Sequence, residues 1–79
     1  MHDETRLLKI IGKNVREHRR RLHLTQMELA AEIGVDKAYI STVERADGNP
    51  SARKIARIAA ALGVHPADLL DDRKKPRKQ

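Results

Sequence analysis

Apolar positions recur at helical spacing along nearly the whole chain, and the interruptions fall where turns are needed. Leu8, Ile11, Val15 and Leu22 share one face at about 100° per residue, with His18 between them. This predicts a first helix from about Thr5 to Leu22, ended by His23. Thr25 and Glu28 stand in capping-box spacing. Leu29, Ala30 and Ile33 then continue a short second helix until Gly34, which suits a left-handed terminating position. Asp36 caps a third helix through about Arg45, and the breaker-rich stretch Ala46-Asp47-Gly48-Asn49-Pro50 follows. Ser51 caps a fourth helix that ends at Gly63, and Pro66 opens a brief fifth through Asp68, Leu69 and Leu70. Runs of β-branched residues and internal repeats are absent, so the expected fold is all-α, a compact bundle of five helices.

The 79 residues suffice for one small domain, taken as residues 1–72, and residues 73–79 read as a disordered basic tail with no apolar group to bury. With no Cys there is no disulfide frame or thiolate metal site, and the four His have no helical ligand spacing, so neither a metal nor a cofactor is expected. The apolar stretch near the N-terminus is too short and too charged for a signal peptide or a membrane span, which makes a soluble cytoplasmic protein the expectation. Tyr39 is the single aromatic residue, which excludes a base-stacking platform for single strands and leaves contact with duplex open.

The net charge of +6 changes meaning once it is located along the chain. Five of the 17 basic groups lie in residues 73–79, and residues 1–72 carry 12 basic against 11 acidic groups. That remainder is polarised. Arg6, Lys9, Lys13, Arg16 and Arg20 form a stripe on the first helix, read as a solvated face that adds long-range attraction, while most acids gather later. Arg19 falls off the stripe, beside the apolar face, and should point partly inward. The tail is either a groove-following arm or a solubility device.

Two short helices joined through a Gly turn, with small Ala30 at their crossing and Ile40 and Val43 facing inward, describe a helix-turn-helix. The stretch LTQMELAAEIGVDKAYISTVERADGNPS, residues 24–51, resembles the Cro/phage-repressor type, the XRE family. IARIAAALGVHPADLL, residues 55–70, resembles that family's fourth and fifth helices. The coincidence of Thr25-Gln26, Ala30, Gly34, Ile40, Val43-Glu44-Arg45 and Asn49-Pro50-Ser51 makes the likeness specific, and it covers roughly residues 8–70.

A helix in the major groove reads base edges with the side chains that face away from the core. On the third helix Ala38, Ser41, Thr42 and Arg45 lie opposite Tyr39, Ile40 and Val43, with Lys37 at the edge. The resemblance implies base reading from Lys37, Ala38, Ser41 and Thr42. It implies phosphate contacts from Gln26, at the open end of the second helix, and from Tyr39, Arg45, Asn49, Arg53 and Lys54. It also implies an ion pair between Arg19 and Glu44 that fixes the third helix against the first. The chain departs from the family in several places. Ala46, Asp47 and Gly48 stand where a Gly and basic residues are usual, His18 replaces an apolar residue, and His23 replaces a Gly. Asp47 would repel phosphate unless a turn shifted to Gly48 restores the contact.

The function implied is a sequence-specific regulator of transcription, mainly a repressor, acting on double-stranded DNA as a homodimer on a two-fold operator. Leu69 and Leu70, or Leu7 and Ile10, are the candidate dimer contacts. A different class remains open: an antitoxin-like module with a protein partner, in which DNA binding is secondary. A membrane-surface helix is disfavoured because its apolar face is needed for the core. No nucleophile, base and orienting residue recur at a catalytic spacing, and no phosphate-cradling Gly loop or small-molecule ligand is indicated, so the chain is not read as an enzyme. Restriction–modification controllers and small phage repressors share this architecture, and the residues alone do not separate them.

Overall fold

The computed structural model describes residues 4–73. Five helices follow in order: α1 (Glu4–Arg21), α2 (Gln26–Ile33), α3 (Lys37–Glu44), α4 (Ala52–Leu62) and α5 (Pro66–Leu70). Their ends are set by local chemistry. The Thr25 hydroxyl accepts from the Glu28 N–H while the Glu28 carboxylate accepts from the Thr25 N–H, closing two of the orphan donors at the start of α2. Asp36 and Ser51 cap α3 and α4 through single side-chain acceptors. Gly34 and Gly63 end α2 and α4 in the left-handed region, at φ 78° and 72°. His65 caps α5, its Nδ1 accepting from the Ala67 N–H, with Asp68 reaching back to complete the box.

The core is one cluster drawn from all five helices: Ile11 and Val15, Leu29, Ala30 and Ile33, Ile40 and Val43, Ile58, Ala59 and Leu62, and Leu69. Leu24, Val35, Tyr39, Ile55, Ala61 and Val64 pack against its edge. Because the helices are short, most of their stability comes from this shared apolar face rather than from propensity.

Several expectations are corrected. Leu22 does not join the buried face of α1. The helix stops at Arg21, the Leu24 N–H turns back onto the Arg19 carbonyl, and Leu24 takes the inward place while Leu22 stays half exposed. Leu69 is fully buried and unavailable to a partner, and Ile10 is half-buried. Leu7 and Leu70 remain exposed. Residues 69–72, inside the expected domain, are tied back to α1, and of the expected tail only Arg73 is described. Asn14 Nδ2 donates to the carbonyls of Leu69 and Asp71, at 3.0 and 2.7 Å, Arg6 pairs with Asp72, and Arg73 pairs with Asp71. The remainder of the expected tail, residues 74–79, lies outside the described residues.

Candidate nucleic-acid interface

The reading helix, α3, is held from behind by one carboxylate. Arg19 Nε donates to Glu44 Oε2 at 2.7 Å and its second guanidinium nitrogen donates to Oε1 at 3.0 Å. Arg19 also donates to the Leu24 carbonyl, so the same side chain closes the end of α1. Gln26 Nε2 donates to Glu44 Oε1 at 3.0 Å, and Arg16 lies 3.7 Å from that oxygen. Thus Glu44 joins α1, α2 and α3 at a single point. Its side chain is 1% exposed and that of Arg19 10%. Burial alone would push the Glu44 carboxyl up. The bonds from Arg19 and Gln26, with the charges of Arg19 and Arg16, outweigh it and hold the group below the usual carboxylate range. The same bond to Glu44 raises the Arg19 guanidinium against its own burial.

Gly12 explains how closely α1 approaches this point. A Cβ built there would fall 2.6 Å from the Val43 carbonyl oxygen and 2.8 Å from that of Glu44. Only glycine lets α1 lie against the C-terminal end of α3. The cost of an interior helical Gly, about 1 kcal/mol relative to Ala, was the sequence signal for such a packing reason.

On the outer side of α3, Lys37 and Ala38 are exposed and Ser41 and Thr42 half-buried, while Ile40 and Val43 enter the core. The Thr42 methyl does not lie open. It packs onto Gly48, 2.7 Å from where a Cβ would be, so the loop after α3 covers it. The Ser41 hydroxyl accepts from Arg45, whose Nε is 3.0 Å from Asp47. Asp47 is therefore paired with the neighbouring cation. The turn is not shifted to Gly48, because Ala46 itself takes φ 61°. His23, the other non-glycine at a position where the family uses Gly, likewise takes φ 59°.

The expected phosphate contacts surround this face. Gln26 opens α2, where the first N–H groups lack intrahelical partners and the helix dipole is positive. Its amide is oriented by Glu44. Tyr39 is half-buried, which pushes its phenol up, and Lys54 at the start of α4 lies 6.0 Å from the ring centroid, so these two residues come together. Asn49 and Arg53 are exposed beside them in the chain. Sequence reasoning missed Gly12, Asn14 and the role of Arg16 at Glu44.

An all-helical domain with an outward third helix, an open second-helix N-terminus beside it and a charged anchor behind defines a helix-turn-helix DNA-binding module. The helix-turn-helix family model HTH_3 matches residues 15–69. The chain belongs to this family, of XRE type, and is a DNA-binding transcription regulator. It is similar to the control protein C.BamHI of Bacillus amyloliquefaciens, 42% identical over 72 residues, covering 90% of this chain and 86% of that one. The restriction–modification controller C.AhdI of Aeromonas hydrophila superposes with a TM-score of 0.81 at 37% identity, over 86% of this chain and 99% of that chain. The biofilm regulator SinR in complex with DNA gives 0.72 at 35% identity, over 77% of this chain and 98% of that chain. Among the described residues no helix is long and apolar enough to cross a membrane.

Proposed function

We propose that this regulator acts in the cytoplasm, without catalysis, as a homodimer on a two-fold symmetric operator. In this reading Lys37, Ala38, Ser41 and half-buried Thr42 meet base edges. Gln26, Tyr39, Arg45, Asn49, Arg53 and Lys54 hold the backbone. The observation that carries the proposal is the division of labour on α3: one side supplies Ile40 and Val43 to the core, and the other presents small polar groups and a lysine. A single module of this size buries limited DNA surface, so specificity calls for two half-sites about one helical turn apart. Exposed Leu7 and Leu70 are the dimer contacts in this reading. The likeness to the restriction–modification controller C.AhdI, at 37% identity, favours a role as a controller of a restriction–modification system.

The test is selection of bound duplexes from a random pool at near-physiological salt, which suppresses binding by charge alone. A two-fold symmetric site is expected, and its half-site spacing reports the dimer geometry. A site recurring upstream of a restriction endonuclease gene supports the controller role. Enrichment of no sequence overturns the operator-binding reading.

A further inference from the structure

The basic stripe of α1 is solvent-exposed, and four of its residues also border a concavity. Lys9, Lys13, Arg16 and Arg20 line an open cleft of about 380 Å³ together with Glu17 and with Glu44, Arg45 and Ala46 at the end of α3. Five cations line this cleft against two carboxylates, and the carboxylates are engaged. Glu44 is held by Arg19, and Glu17 lies 4.0 Å from Lys13. Among the described residues neither Lys9 nor Arg20 has an ion-pair partner. A concave surface with excess, unpaired positive charge focuses potential and selects anions.

Its position favours one anion. Arg16 and Gln26 both approach Glu44 Oε1, at 3.7 and 3.0 Å, so their nitrogens are no further apart than those two distances together. Arg16, which lines the cleft, therefore lies beside the Gln26 amide at the start of α2, and the other basic lining residues follow along α1. At 1.5 Å per residue the stripe from Arg20 to Lys9 extends about 16 Å. That is the shape of a track, not of a point site. We propose that this cleft is a second phosphate-binding surface, which takes the DNA backbone phosphates next to those gripped at the start of α2. The inference rests on the DNA-binding reading and extends its footprint from the helix-turn-helix onto α1.

Adjacent residues of equal charge supply the test. Arg20 faces the cleft, and Arg21 is turned about 100° away from it. Affinity of the full chain for the selected duplex, or for a mixed-sequence duplex, is measured against salt for the parent, Lys13→Gln, Arg20→Gln and Arg21→Gln. All three positions are exposed, so melting curves should coincide. Removing a cation that neutralises one phosphate lowers the slope of log affinity against log salt by about 0.9. That drop is expected for Lys13→Gln and Arg20→Gln and not for Arg21→Gln. Ethylation of individual phosphates should interfere with the parent at positions where it no longer affects Arg20→Gln. Equal slopes for Arg20→Gln and Arg21→Gln, with the same interference pattern, overturn the proposal. Inorganic pyrophosphate is the second probe. If it shifts cleft resonances of the DNA-free chain while the Arg20→Gln slope stays at the parent value, the cleft serves a free phosphate compound and the backbone assignment fails. A parent that binds no duplex defeats the DNA reading itself, a result separable from either outcome above.

Discussion

Replacing Glu44 by Ala removes the acceptor for three side chains at once. Arg19, with only 10% of its side chain exposed, keeps just its bond to the Leu24 carbonyl, and Gln26 and Arg16 lose the oxygen they share. Taking one partner from a buried pair typically costs about 3 to 5 kcal/mol, because the remaining charge stays desolvated. A domain of this length has roughly 4 to 12 kcal/mol in total, at about 0.05 to 0.15 kcal/mol per residue. Near 4 °C per kcal/mol, the lower end for small domains, the melting temperature should fall by about 12 °C or more. Circular dichroism melts at neutral pH read this directly, and an unchanged melting temperature would refute the anchoring role. Acid supplies a second reading. The native carboxyl sits below its ordinary value, so its contribution is complete above the unfolded Glu value of about 4.3 and disappears as pH falls through the lower native value. The advantage of the parent over Glu44→Gln should therefore shrink on acidification, in urea titrations run at successive pH values. A gap that stays constant below that window contradicts the assignment.

Two backbone predictions follow from the same region. Gly12→Ala gains about 1 kcal/mol of helix propensity but drives a methyl into two carbonyl oxygens of α3, so it should lower the melting temperature; a rise shows that α1 can move away at little cost. Ala46→Gly relieves a left-handed residue, a conformation costing roughly 1 to 2 kcal/mol for an L side chain, and should raise the melting temperature by several degrees with DNA affinity kept. A lower melting temperature for Ala46→Gly would mean that the Ala46 methyl packs favourably enough to outweigh the strain.

Elements closed by their own residues were legible in the sequence. Thr25 and Glu28, Asp36, Gly34, Ser51 and Gly63 each act within a few positions, so spacing alone located the ends of α2, α3 and α4. The Arg19–Glu44 pair came from the family resemblance, with the inward place of Arg19 supported by its position off the stripe. Part of what escaped depends on distant chain. Gly12 is explained only by the carbonyls of α3, and Asn14 only by the end of α5. Leu22 and Leu24 exchange roles because a left-handed His23 follows the end of α1, which apolar periodicity does not register. The pairing of Asp47 with Arg45 depends on the turn at Ala46, so charge along the sequence suggested repulsion without revealing the local partner.

The covering of Thr42 by Gly48 limits how this regulator can be given a new target. Lys37 and Ala38 contribute no side chain to the core, so a library that varies them leaves the fold untouched. Thr42 is coupled to the loop: a larger residue there must displace the chain between α3 and α4, together with the Arg45–Asp47 pair it carries. Retargeting should therefore proceed by randomising 37 and 38 first, with 42 and 48 exchanged only as a pair.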